Sequence, residues 1–361
     1  MLRPDKRVHK LIISSTSHFI GEYENDDLLI THAWPSLQNR TQISVGLTEN
    51  PYSRNYFAVV FKIAPSENDK RNQVEFPYYD WFGEFVCIYL SILFGKRFDY
   101  HGLIETNGFF FLPDTLRVNS PIRYPNIGVN SHKPRKDLEI ELNLSNFKSL
   151  EPLLFGKVDR RTVSITNAAG KFYLRSIRLF EIEPELAFLD LVTCGEVLSN
   201  YYQYTDEELY DQQLRGQFTE MENKLDNGAD ICRNVKSRLY QVRRRYALTI
   251  TRLLNSYFFQ NTESLEGFAS LKPDDIEKRV KASYDLRSLY VHEGIRIGNW
   301  LDPEYFMNEV QVGIPVVESK TLKKLLCLTP TYVGMERIMR FCLLRFLHSN
   351  GIPIDSRLEQ D

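Results

Sequence analysis

The chain has 361 residues, 43% of them hydrophobic and 25% charged, a globular composition long enough for two domains. Its formal net charge of −2 excludes a protein that coats nucleic acid through bulk charge, so any RNA contact has to come from a local patch. Five cysteines, Cys87, Cys194, Cys232, Cys327 and Cys342, are odd in number and far apart, which indicates reduced thiols in a cytoplasm.

The segment Met1 to Arg7 is polar and leads toward a strand, and the apolar run Phe85 to Phe94 is too short to span a bilayer. A soluble, cytoplasmic protein with no membrane contact is therefore expected. Leu11–Ser14, Leu28–Thr31, Gln42–Leu47 and Tyr56–Ile63 are short, apolar or β-branched and separated by polar turns, which predicts strands. Asp80 can cap a helix from Trp81 to about Leu93, ended by Gly95. The stretch Pro113 to Arg135, rich in Pro, Asn and Ser, predicts a loop. Strict alternation over Leu138–Leu144 predicts a strand with one wet face, and Lys171–Ile182 reads as another.

After Glu183 the pattern becomes helical. Pro184 suits a first helical position, and Leu186, Leu189, Val192, Val197 and Tyr201 form an apolar face. Residues 204–230 are acidic and polar, as befits an exposed helix or insert. From Arg238 to Gln260, apolar residues at spacings of three and four predict one long central helix. A last helix begins after Thr329-Pro330 and ends at Asn350-Gly351, with Met335, Ile338, Met339, Cys342 and Phe346 as its buried stripe. The expected architecture is α+β: a β-rich N-terminal domain over residues 1–182, followed by an all-α helical bundle over residues 183–361.

Chemistry concentrates in the helix predicted after Pro273. Asp274, Asp275 and Glu277 enrich its first turn, Ile276, Val280, Tyr284 and Val291 recur at near-helical spacing, and Gly294 supplies the stop. Arg287 falls on the apolar stripe, where a guanidinium needs a carboxylate, a phosphate or carbonyls to offset its lost hydration. His292 falls in the last turn, where the helix dipole favours the imidazolium and a proton donor near neutral pH. A structural reading stands beside this one, in which Arg287 ties the helix to a neighbour and His292 caps it.

The run "YDLRSLYVHEG" resembles the R-x(4–6)-H motif of the HEPN superfamily, and most closely its ApeA-like branch. The resemblance covers the stretch from the helix near Pro184 to the one ending near Asn350 and is strongest over Tyr284 to Gly294. It implies an all-helical domain that pairs with a second copy and, in active members, cleaves RNA without a metal or other cofactor. Arg287 and His292 would be catalytic, with Ser288 and Glu293 in support. In a defence setting, a protein or a phage-derived trigger would act through the N-terminal half. Two departures are present. Ser288 stands where many nuclease members carry Asn, Asp or His, and Gly294 stands where the toxin branch paired with a nucleotidyltransferase carries an AMP-accepting tyrosine.

A basic cluster that includes Arg238, Arg243, Arg244 and Arg245 can neutralise phosphates of RNA, or pair with the acidic segment before it. The seven histidines show no ligand spacing, and no phosphate-cradling glycine loop or serine-hydrolase elbow occurs, which argues against a metal, nucleotide hydrolysis and serine-hydrolase chemistry.

Overall fold

The computed structural model describes residues 7–33, 54–63, 79–106, 108–113, 122–301 and 307–359. The N-terminal strands β1 (Arg7–Ser15), β2 (Tyr23–Glu24), β3 (Leu28–His32), β4 (Asn55–Ile63), β5 (Phe98–Thr106) and β6 (Phe109–Phe110) form one antiparallel sheet of order β2-β3-β4-β1-β5-β6. Three of the four expected strands are in it; Gln42–Leu47 lies outside the described residues. Leu11 and Ile13 of β1 and Phe57, Val59 and Phe61 of β4 alternate into the core, as a half-covered sheet requires.

Helix α1 (Asp80–Phe94) lies against β1 and β5 and ends at Gly95, whose φ of 62° is left-handed. Asp80 is the first helical residue and not a side-chain cap; its carboxylate instead accepts from the Tyr100 hydroxyl. Residues 122–135 carry neither helix nor strand.

Two expected strands are corrected. Leu138, Leu142 and Leu144 are buried as their alternation implies, but the segment pairs only through a bridge between Ile20 and Asn143. Alternation reported one-sided burial there, and among the described residues the chain joins no strand ladder beyond that one bridge. Asn143 then caps a 3₁₀ turn over Leu144–Leu150, followed by α2 (Glu151–Leu154). Lys171–Ile182 is mostly the end of helix α3 (Arg160–Leu179), capped by Asp159, which accepts from the backbone amides of Arg161 and Thr162 at 2.9 Å each. Its aromatic and β-branched residues suggested a strand, yet Thr162, Thr166, Ala169, Tyr173 and Ile177 are buried at helical spacing.

Helix α4 (Pro184–Ser199) carries Pro184 in its first turn. Its buried positions include Ala187, Phe188, Leu191, Val192, Cys194, Gly195 and Leu198; of the expected apolar face only Val192 is fully buried and Leu186 is exposed, so the helix is covered on other sides than that face suggests. Residues 204–230 form α5 (Asp206–Leu209), α6 (Gln212–Lys224) and the start of α7 (Gly228–Arg238), around a small core of Leu209, Tyr210, Phe218 and Cys232. The long helix expected from Arg238 to Gln260 is broken. Gln241 is left-handed at φ 47°, α8 runs Val242–Leu253, and Asn255 caps a separate α9 (Ser256–Gln260) by accepting from the Phe258 amide. The remaining helices are α10 (Ile276–Glu293), α11 (Lys320–Leu328) and α12 (Tyr332–Ser349), with Thr331 capping α12.

Helix α3 packs along α4, α1 and α12, and a continuous apolar core runs from the sheet into the helices across residue 183. Helix α12 is buried nearly all round, and three of its buried residues, Glu336, Arg337 and Arg340, are of charged types. Arg135 is fully enclosed; it donates to both Glu336 oxygens at 2.9 and 2.7 Å, to Glu263, and to the Gly95 carbonyl at 3.1 Å. Arg340 donates to Asp137 at 2.9 Å and to the Leu93 carbonyl at 2.9 Å, and Arg337 donates to Glu309 at 2.8 Å. This network joins the 122–138 loop and the end of α1 to α12, with each charge answered by an opposite one. Among the described residues, no helix is long and apolar enough to cross a membrane.

Candidate active site at the end of helix α10

Helix α10 forms because Ile276, Val280, Ser283 and Leu286 turn to one buried face while Glu277 and Lys281, and Asp275 and Arg279, pair one turn apart on its surface. It packs on α8, α11 and α4. The Tyr246 and Ser283 hydroxyls meet at 3.0 Å across the α8 contact. Gly294 ends the helix at φ 67°, and its amide donates to the Leu289 carbonyl. The following chain is pinned to the start of α4: the Glu185 carboxylate accepts from the Ile297 and Gly298 amides at 2.7 and 2.8 Å and pairs with Arg296 at 3.2 Å. The last turn of α10, with His292 in it, is thereby held from both sides.

Arg287 faces α4. Its side chain is 24% exposed, and its guanidinium lies 3.6 Å from Glu196, too long for a direct hydrogen bond, so its donors remain open to an additional acceptor. This is the carboxylate that a guanidinium on an apolar stripe demands. Helix α4 supplies it, 91 residues earlier in the chain. Glu196 sits between the apolar Val192 and Val197, and nothing local in the sequence singles it out as the partner.

His292 is exposed and makes no hydrogen bond among the described residues. At 3.6 residues per turn it lies about 140° around the helix from Arg287 and about 7.5 Å along the axis. One chain therefore presents the two groups on different faces of α10. Ser288 points away from Arg287 into a groove between α10 and α11, and Glu293 is exposed with no bond to the imidazole. Ser288 is thus not bonded to Arg287, nor Glu293 to His292, among the described residues.

Burial raises the Glu196 pKa above the ordinary carboxylate range, and the attraction of Arg287 offsets this only in part. The folded protein then holds this proton more tightly than the unfolded chain. The group's contribution is most favourable below the unfolded pKa and declines as pH rises through the folded one. Removing the titration with Glu196→Gln is expected to flatten that part of the stability profile. Urea midpoints of both proteins from about pH 4 to about pH 7 test this; parallel profiles would contradict it.

Of the basic cluster, Arg243 makes a two-pronged pair with Asp285 of α10 at 2.6 Å, and Arg245 lies over the Tyr204 ring at 5.5 Å. Arg238 and Arg244 have no ion pair among the described residues. The neighbouring cations Arg233, Lys236 and Arg252 do pair with acids of residues 204–230, namely Asp230, Asp206 and Glu208. Pairing with the acidic segment thus holds for these three neighbours, while Arg243 is paired with α10 instead. Among the described residues, no group of three or more His, Cys, Asp or Glu side chains is placed to hold a metal ion.

Comparison with protein-family models, with curated proteins and with solved structures gives no match.

Proposed function

We propose that this chain is a metal-independent endoribonuclease of HEPN type that works as a homodimer through its helical half. The observation that carries this reading is the end of α10: a guanidinium held in place by Glu196 with donors to spare, and an exposed imidazole one and a half turns further on. In the reaction, the 2′-oxygen of a ribose attacks the adjacent phosphorus as His292 accepts its proton. The bond from phosphorus to the 5′-oxygen breaks, and that oxygen leaves as a hydroxyl after taking up a proton. The products are a 2′,3′-cyclic phosphate and a 5′-hydroxyl end. Arg287 stabilises the negative charge that builds on the phosphoryl oxygens. Because the two groups diverge within one chain, the Arg287 that serves a given His292 comes from the second copy. The sheet-bearing half, tied to α12 by its buried charges, would set how strongly a basal activity of the helical half is expressed, with a protein or phage-derived trigger raising it.

Incubation of the purified protein with total RNA in EDTA tests the reading. Fragments ending in cyclic phosphate are expected, and fragments that appear only when a divalent metal is added would overturn it. One observation favours a second reading, a catalytically silent HEPN module that binds RNA or a protein: Arg287 already has a carboxylate partner, as a purely structural arginine would.

A further inference from the structure

The face of α10 opposite Arg287 borders a groove of about 670 Å³, walled by α10 and α11, with Arg243 of α8 also in its lining. Leu289 and Leu325 contribute apolar surface, and Lys278, Lys281, Lys324 and Arg243 supply cations. Arg243 is neutralised by Asp285, and Lys281 pairs with Glu277 at 2.5 Å. Lys278 and Lys324 are exposed and have no ion pair among the described residues, so two ammonium groups face the groove uncompensated.

The direction of the groove follows from helical spacing. Lys281, Ser288 and His292 are seven and four residues apart and lie on one stripe of α10. The cationic groove thus runs along the helix toward the imidazole, with Ser288 on its wall one turn short of it. An apolar surface beside free ammonium groups matches a polyanion whose repeating units have apolar faces, with phosphates on the lysines and bases against the leucines. Its volume lies within the roughly 300–1,000 Å³ range of small-ligand sites, room for a short piece of a single strand.

We propose that this groove holds a single RNA strand next to the scissile phosphate and delivers it to His292 of the same chain. The choice of RNA over other polyanions rests on the endoribonuclease reading. Lys278 and Lys324 are binding residues here, whereas Ser288 is only a wall.

The test is fluorescence anisotropy with a single-stranded RNA oligonucleotide at several salt concentrations. It compares wild type, the Lys278→Ala/Lys324→Ala double variant, and a charge-matched Lys272→Ala/Lys323→Ala control whose exposed lysines do not line the groove. The double variant should bind about tenfold or more weakly, and its salt slope should be smaller in magnitude by about 1.4, or about 0.7 for each lost phosphate contact on a single strand. The control should follow wild type. Equal losses in both double variants, no loss in either, or absence of RNA binding by wild type would each overturn the proposal. So would displacement of the RNA by polyglutamate at equal charge concentration, which would mark the groove as a surface for acidic peptides. Cleavage is scored separately: lysine-dependent binding without cleavage keeps the groove and removes the nuclease, and cleavage indifferent to both lysines does the reverse.

Discussion

His292→Ala is expected to slow RNA cleavage by ~10²–10⁴-fold, the range for losing a positioned general acid–base group. Arg287→Ala should cost ~10²–10³-fold, the range for losing one donor to a developing oxyanion. The two variants should differ in what else they change. His292 is exposed and bonded to nothing described, so His292→Ala should leave the unfolding midpoint in place. Arg287→Ala strands the part-buried Glu196 carboxylate, so it should also lower stability at neutral pH. Gel-resolved cleavage in EDTA beside urea unfolding reads both effects. A His292→Ala protein that cleaves at the wild-type rate would remove the imidazole from the mechanism.

The second large effect concerns the link between the sheet and α12. Arg135→Met should destabilise the protein by ~3–5 kcal/mol, because Glu263 and Glu336 would be left buried with one less cation between them. Burial pushes the Glu263 carboxyl above its ordinary range even with Arg135 present, which shows how little solvent reaches it. For Asp137, burial is outweighed by Arg340, Arg135 and Arg337, which hold its carboxyl below the usual range. Lys224→Ala breaks the exposed pair with Glu220 and serves as the contrast, with an expected cost of ~0–1 kcal/mol. Urea unfolding measures both; a loss for Arg135→Met no larger than that of the exposed pair would contradict the buried network.

What the sequence revealed follows from how local each signal is. Helix α10 and its glycine stop were legible because caps, first-turn acids and apolar spacing all lie within about twenty residues. The strands β1, β3 and β4 were legible for the same reason. Helix α3 was misread because its last half, with Phe172, Tyr173 and Ile177, has strand-like composition, and the period that identifies it begins upstream at Thr162. The break at Gln241 left no glycine or proline as a marker, and the left-handed residue there is an ordinary glutamine. At the site, the demand for a partner to Arg287 could be read from its place on an apolar stripe, but Glu196 could not, since the pairing depends on how α4 packs against α10. Ser288 and Glu293 were assigned by adjacency in sequence, and helical geometry turned Ser288 to another face and left Glu293 in solvent.

In the proposed dimer a phosphodiester is cleaved between Arg287 of one copy and His292 of the other. Mixing separately purified Arg287→Ala and His292→Ala proteins, after exchange of their subunits, tests it most directly. A mixed dimer keeps one intact arginine facing one intact histidine across the pair, so cleavage in EDTA should rise on mixing well above the slowed rate of either variant alone. Folded variants that exchange subunits and yet stay as slow together as apart would contradict a site built from two chains.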